Sequence, residues 1–412
     1  MLSISRWIRE HQETLILVCL TSIGWFIRII LAINTGGLVH ADEIYQSLEI
    51  AHYMKYGYGH IPWEFRVPGR IYGDILPGLW TYNSPDPIRS YLYPLIFYFI
   101  FELCELGGIP YGLEGTLRVV RLFNATYSAM LIPIVFYVSK ELFPAQEKPY
   151  IFSLFAAFLT VVWFQFPFWG IRTLTNSFVC VPIFLGIYLH LLASNNTFSL
   201  AKTFSLESIA GVLLGLACVL RMDSVVFFAP IFLLRHYSDR RMSFSYVSLA
   251  IGFVAIFILQ GLTDLIYYGI FFISPINWVI FNIIEGKSAR FGTLPIPYYV
   301  YLFTKNSFYL IFFALVLGTL IIKTYITLWH NQEKRKDPWF FTFLTLFIWF
   351  MFSLGIMSLV AHKEERFIYS LYPIIVILFA ATMKLCLELL KATYKHLHTN
   401  ILPKFNITRM AK

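Results

Sequence analysis

Two short clusters in this chain carry residue types that can move protons and hold phosphate. The first, HADEIYQSLEIAHYMKYGYGH, covers residues 40–60 and follows directly on an apolar stretch. It presents adjacent carboxylates, Asp42 and Glu43, among histidines and tyrosines. A carboxylate ionised at pH 7 can take a proton from an attacking hydroxyl. Read as an amphipathic helix over 42–56, this segment sets Asp42, Gln46, Glu49 and Tyr53 along one side. The plainer reading is a solvated loop whose acids sit at a helix start, where the helix dipole alone favours them.

The second cluster is HKEERF, residues 362–367, wedged between two apolar runs. On a helix, His362 and Arg366 share a face, as do Lys363 and Phe367. Such a group at a helix start can neutralise a phosphate leaving group as its charge develops. Its structural alternative is a membrane-edge cluster with internal ion pairs. A third set is isolated. Arg89 lies in PIRSYLYP, Arg172 and Asn176 in RTLTN, and Arg221 with Asp223 in RMDS, inside an apolar run. A charge in such a run is costly and faces a cavity or a partner. Arg221 and Asp223 can serve a substrate or simply neutralise each other.

The elements that must position these groups are apolar. Of 412 residues, 58% are hydrophobic and only 13% charged, against roughly 25% charged in soluble domains. Lipid is the expected solvent. A net charge of +9 does not imply nucleic acid, because the basic residues gather in short connectors between apolar runs. The five cysteines, Cys19, Cys104, Cys180, Cys218 and Cys386, are scattered in or beside apolar runs. They form neither a metal-ligand nor a disulfide pattern, and no cofactor is expected.

Apolar runs fall at 14–33, 91–107, 116–138, 150–168, 177–193, 208–234, 246–273, 303–322, 338–361 and 367–390. Measured against the ~20 residues needed to cross a bilayer, they predict an all-α membrane protein of about 10 transmembrane helices. The first run exceeds a signal-peptide core and reads as a retained anchor. Two connectors are long, 34–90 and 274–302, and both carry apolar residues at spacings that suit interfacial helices. Basic residues mark the connectors at 235–245 (Arg235, Arg240, Arg241) and 323–337 (Lys323, Lys334, Arg335, Lys336). The tail from 391 to 412 adds Lys391, Lys395, Lys404, Arg409 and Lys412. Even numbers of spans separate the three, so all can be cytoplasmic. The long connectors and HKEERF then lie on the opposite face. The same count places Arg172 on the cytoplasmic side.

HADEIYQSLEIAHYMKYGYGHIPWEF, IRSYLYP, RTLTN, FGTLPIPYY and HKEERFIYSLYP, in this order, resemble the glycosyltransferase family 22 mannosyltransferases. QSLE, RTLTN and the spacing of Gly292, Pro295 and Tyr298 are most similar to the subgroup that adds the third mannose of the glycosylphosphatidylinositol (GPI) core. HKEERF also resembles the α-1,2-mannosyltransferase of the N-glycan pathway. The resemblance runs over about 38–375. It implies a GT-C fold, a dolichyl- or polyprenyl-phosphate mannose donor, a mannosylated lipid-linked glycan acceptor, and inversion at the anomeric carbon. It further implies Asp42 as the base, with Glu43 the alternative, and His362, Lys363, Glu365 and Arg366 near the donor phosphate. Arg89, Arg172, Asn176, Gln46, Glu49, Arg221 and Asp223 are the remaining candidates for binding substrate. The resemblance would also draw Arg172 into the active-site cavity, against the span count. Either one early segment then fails to cross, or the 208–234 run breaks at Arg221. Ala41 stands where the family pattern has proline, and the stretch between Phe65 and Ile88 is longer than the pattern.

The expectation is thus one polytopic unit over 1–412. It would sit in the endoplasmic reticulum membrane of a eukaryote or the plasma membrane of a prokaryote. A transporter of lipid-linked sugars would predict internal hydropathy symmetry and paired broken helices, and neither is visible. A structural subunit has little use for an acid pair and a cationic cluster on one face. An enzyme of the same fold with another sugar donor is the nearer rival.

Overall fold

The computed structural model describes residues 2–66, 87–143, 150–238, 243–305, 307–329 and 338–396. Most of the long stretch after Phe65, the basic connectors at 239–242 and 330–337, and the tail beyond 396 lie outside the described residues. Among the described residues there is no strand. The helices are α1 (Leu2–Asn34), α2 (Glu49–Tyr56), α3 (Leu92–Leu106), α4 (Thr116–Ala129), α5 (Leu131–Leu142), α6 (Tyr150–Val162), α7 (Gln165–Gly170), α8 (Thr175–Phe178) and α9 (Cys180–Asn195). They continue with α10 (Leu200–Leu220), α11 (Val225–Ser238), α12 (Ser243–Tyr268), α13 (Ser274–Val279), α14 (Tyr298–Thr304), α15 (Ser307–Trp329), α16 (Pro338–Leu359) and α17 (Tyr372–His396).

Seven segments among the described residues are long and apolar enough to span a bilayer. Shorter apolar helices at Tyr150–Val162, Met222–Leu234 and Ile311–Thr324 fill the gaps between them. The protein is a multi-pass membrane protein. Two of the expected runs behave differently from the hydropathy reading. The run at 91–107 is α3, about 22 Å long at 1.5 Å per residue. Both its ends stay at the same end of the bundle. Near its C-terminus Glu102 pairs with Lys55 of α2 at 3.2 Å. The following α4 starts beside residues 35–37, where Arg121 donates to Gly37 O at 3.0 Å. The run at 208–234 is two helices. Arg221 is extended (φ −158°, ψ 102°) and a short 3-10 turn, Met222–Ser224, reverses the chain. One crossing fewer before Arg172 and one more after it leave the later connectors on the sides expected, and move Arg172 to the end that holds Asp42. Both resolutions of the Arg172 conflict are therefore realised, and the span count that put it on the cytoplasmic side is corrected.

An apolar solvent leaves no water for backbone groups freed inside the bundle, and α11 shows how one is satisfied. Pro230 lies inside α11 and leaves the carbonyl four residues earlier without its helical donor. That carbonyl, Val226 O, accepts from Ser353 Oγ of α16 at 2.8 Å. Phe227 O accepts from the fully buried Trp349 Nε1 at 2.7 Å. α10 and α12 pack backbone to backbone. A Cβ on Gly211 would collide with Leu249 O, and one on Gly252 with Ser208 O, the close approach that small residues allow in membranes. Inside α1, Arg28 is fully buried and donates to Gly24 O at 2.9 Å and, across the interface, to Thr160 O of α6 at 3.2 Å.

Candidate active site

The sequence left Asp42 and Glu43 as alternatives, and local backbone geometry separates them. Residues 40–43 make a turn in which Glu43 N donates to His40 O at 3.2 Å. The Glu43 side chain folds back into that turn. Its Oε1 accepts from Val39 N at 2.7 Å and His40 N at 3.2 Å, and Oε2 lies 3.5 Å from Arg172 Nη1. Both side chains of this pair are buried. The Glu43 carbonyl accepts from Thr173 Oγ1 at 2.6 Å and Ser47 Oγ at 2.9 Å. Glu43 and Arg172 thus bind the acid-bearing turn to the α7–α8 connection. Asp42 points the other way, one-quarter exposed, with Oδ2 2.8 Å from Arg366 Nη2.

Asp42 opens onto a cavity of about 370 Å³ between the 40–66, 87–91, 221–224, 274–291 and 357–367 segments. Three guanidinium–carboxylate sets line it. Arg89 Nη2 is 3.2 Å from Glu64 Oε1, which also takes a bond from Gln46 Nε2 at 3.4 Å. Arg221 Nη2 is 2.8 Å from Asp223 Oδ2. Arg366 is shared between Glu364 and Asp42. Bonds between two ionised groups are about twice as strong as neutral ones, so each arginine is fixed in direction. Arg221 and Arg366 also lie over the Phe367 ring, at 4.7 and 5.3 Å from its centre. Trp63, Trp278, Phe281 and Phe291 supply an aromatic wall. α12 sets Arg89 in place: buried Asp264 accepts from Ser90 Oγ at 3.0 Å and Tyr91 N at 2.9 Å, and Tyr268 Oη donates to Arg89 O at 2.9 Å.

The 362–366 segment is not the helix expected from the sequence. Glu364 is extended (φ −139°, ψ 152°), and a 3-10 turn, Glu365–Leu371, begins after it. Alternate residues then face opposite sides. His362, Glu364 and Arg366 line the cavity. Lys363 turns away and donates to Leu294 O at 2.8 Å, and Leu294 N donates to Ala361 O at 3.0 Å. With His362 Nδ1 at 3.2 Å from Gly292 O and Tyr299 Oη donating to Glu364 O at 3.1 Å, these bonds clip the 292–299 segment to this one. Burial raises the Glu364 carboxyl, but the Arg366 and His362 bonds and nearby His40 outweigh it and hold the group below its ordinary range. Burial alone lowers the Lys363 ammonium.

Glu49 is also rotated off the cavity. The turn Ile44–Leu48 is π-helical, and its extra residue advances the following helix by about 100° relative to a continuous α-helix. Glu49 Oε1 accepts instead from His60 N at 2.7 Å. Glu365 faces a second cavity. Asn176 is buried with no side-chain partner and does not line the first cavity. So Asp42, Gln46, Arg89, Arg221, Asp223, His362 and Arg366 converge, whereas Glu43, Glu49, Arg172, Asn176, Lys363 and Glu365 do not. The sequence reading passed over Glu64, Glu364, His40 and the aromatic wall. Glu64 carries no spacing signal, since its role depends on Arg89 across the long connector. Among the described residues no three His, Cys, Asp or Glu side chains group as a metal site.

The model of the Alg9-like mannosyltransferase family matches residues 16–73 and 78–410, and the chain belongs to that family. It is 26% identical over 335 residues to human GPI alpha-1,2-mannosyltransferase 3, covering 81% of this chain and 51% of that protein. It is 26% identical over 370 residues to alpha-1,2-mannosyltransferase ALG9 of Arabidopsis thaliana, covering 87% and 55%. The chain thus spans about half the length of the curated relatives it matches. Among solved structures it is similar to ArnT from Cupriavidus metallidurans bound to undecaprenyl phosphate, with TM-score 0.58, 14% identity, and coverage of 91% of this chain and 60% of that one. The Archaeoglobus fulgidus oligosaccharyltransferase in the apo form gives TM-score 0.55 at 14% identity, covering 95% and 52%. The fold is the GT-C fold expected from the sequence.

Proposed function

We propose that this member of the Alg9-like family is an inverting α-mannosyltransferase. It moves mannose from a polyprenyl-phosphate mannose, dolichyl in a eukaryote, to a hydroxyl of a mannosylated lipid-linked glycan, with a GPI precursor as the first acceptor to test. The observation that carries this reading is the shared cavity, in which Asp42 faces Arg366 with Arg89 and Arg221 close by. One Asp42 oxygen accepts the proton of the acceptor hydroxyl. The hydroxyl oxygen attacks the anomeric carbon on the face away from phosphate. The bond from that carbon to the phosphate oxygen breaks, and the phosphate keeps the electron pair. Arg366 neutralises the charge that develops there. Glu64 and Asp223 hold Arg89 and Arg221 in place for the same anion or for sugar hydroxyls. The aromatic wall supplies a face for a sugar ring.

Both lipid substrates would approach from the bilayer. The connectors 34–90 and 274–302 would form the catalytic non-cytoplasmic side of a single polytopic unit, with 391–412 as its cytoplasmic tail. The membrane would be the endoplasmic reticulum in a eukaryote and the plasma membrane in a prokaryote. The N-glycan precursor is the second acceptor to test, supported by the similarity to the Arabidopsis protein. The test supplies membranes containing the protein with labelled polyprenyl-phosphate mannose and each acceptor. Mannose on the GPI precursor is the expected result. Transfer to the N-glycan precursor alone would reassign the acceptor. Transfer of another hexose, but not mannose, would overturn the donor. No transfer from any polyprenyl-phosphate sugar would overturn the enzymatic reading.

A further inference from the structure

Glu365 belongs to the motif that resembles a substrate site, yet it faces away from the first cavity. It lines a second cavity of about 530 Å³, with Gln165, Leu302, Phe303, Lys305, Tyr309 and Tyr372. No residue is common to the two linings. The extended backbone at Glu364 and the 3-10 turn after it form the partition. Glu364 faces one side and Glu365 the other.

The second cavity holds opposite charges that are not spent on each other. Among the described residues, the Lys305 side chain has no hydrogen-bond or ion-pair partner, and neither does that of Gln165. Glu365 has one long side-chain bond, from Tyr372 Oη at 3.4 Å. The Tyr309 hydroxyl oxygen accepts from Trp163 Nε1 at 3.2 Å. Leu302 and Phe303 complete the lining with apolar surface. Phe164 and Tyr301, each next in sequence to a lining residue, are 63% and 61% exposed. Exposed apolar surface therefore lies beside the lining.

We infer that this second cavity is a binding site for an aminoalkyl phosphate headgroup of the phosphoethanolamine type, with the phosphate at Lys305 and the ammonium at Glu365. A free cation and a lightly bonded carboxylate in one cavity are complementary to a ligand that carries both signs. An anionic lipid would leave Glu365 facing a like charge, which costs rather than stabilises. A primary ammonium donates hydrogen bonds to a carboxylate and to tyrosine oxygens, whereas a quaternary one cannot. Lys305 is exposed and Glu365 half-buried, so a headgroup can reach both while its chains stay in the bilayer. This inference does not rest on the mannosyl-transfer reading, and its test measures binding alone.

The full-length protein, purified in detergent, is mixed with equal amounts of palmitoyl-oleoyl phosphatidylethanolamine, phosphatidylcholine and phosphatidylglycerol. Retained lipid is then counted by native mass spectrometry. Phosphatidylethanolamine should be retained at least about tenfold over either competitor, an affinity difference of about 1.4 kcal/mol or more. Lys305→Gln and Glu365→Gln should each abolish that preference while leaving the thermal unfolding temperature unchanged. Soluble glycerophosphoethanolamine distinguishes the sources. If it displaces the lipid, the headgroup alone is recognised and any carrier of it qualifies. If it does not, while the preference persists, the seat is one for a bilayer lipid. Equal retention of the three lipids, preference for phosphatidylglycerol, or a preference untouched by both variants would overturn the inference.

Discussion

Arg366 Nη2 lies 2.8 Å from Asp42 Oδ2, while Glu364 holds the Nε edge of the same guanidinium. The group assigned to the leaving phosphate is therefore bonded to the carboxylate assigned to the attacking hydroxyl. That bond occupies one of the two Asp42 oxygens. Phosphate arriving at Arg366 would compete for the guanidinium and release Asp42 to its acceptor.

This pairing predicts ordered binding, donor first. A glycolipid acceptor analogue lacking the reactive hydroxyl should inhibit uncompetitively against the polyprenyl-phosphate donor. Arg366→Ala should lower turnover ten- to a hundred-fold, the loss of a charge-assisted contact of about 1.5–3 kcal/mol, and should relax the order. Competitive inhibition by the analogue in the wild type would contradict it.

Asp42 and Glu43 should separate cleanly by phenotype. Asp42→Asn keeps shape and bonding reach but cannot accept a proton at neutral pH. It should lose about 10²–10⁴-fold in rate with donor binding retained. Glu43→Gln should instead lower stability by about 1–3 kcal/mol, because it leaves the buried Arg172 without its carboxylate. Rate per folded molecule should change far less. Full activity in Asp42→Asn together with inactivity of folded Glu43→Gln would transfer the base to Glu43.

The Glu364 clamp carries a pH signature. Its carboxyl titrates below the ordinary range in the folded protein, so the unfolded chain takes up this proton first. The stabilisation is complete above the unfolded value of about 4.3. It is lost as pH falls through the lowered folded value. Thermal stability of the solubilised wild type should fall more steeply between pH 6 and pH 3 than that of Glu364→Gln. The variant should start lower at pH 7 and run flatter. Parallel curves would mean that the clamp does not contribute.

Sidedness follows from the two ends of the bundle. Ala289 is exposed beside the cavity segment and Thr197 is exposed in the α9–α10 connection at the far end. In a cysteine-free background, Ala289→Cys should react with an impermeant thiol reagent only from the non-cytoplasmic side. Thr197→Cys should react only from the cytoplasm. Labelling of both from one side would refute the arrangement.

Composition, apolar runs and the placement of lysine and arginine determined that this chain lives in a membrane with its reactive clusters toward one face. Those signals are additive along the sequence and need no tertiary contact. The order of HADE, IRSYLYP, RTLTN and HKEERF carried the family and its fold as well. Tertiary structure decided the rest. Hydropathy measures apolar length, so it could not tell that α3 lies along one end while α10 and α11 turn back at Arg221. Residue type could not choose between neighbours such as Asp42 and Glu43, or Glu364 and Glu365. That choice rests on the 40–43 turn for the first pair and on an extended residue within the other. A rotation of one residue's backbone exchanges which acid meets the cavity. What fixes the rotation is contact with distant partners, Arg172 and Thr173 for the first pair and the 292–299 segment for the second.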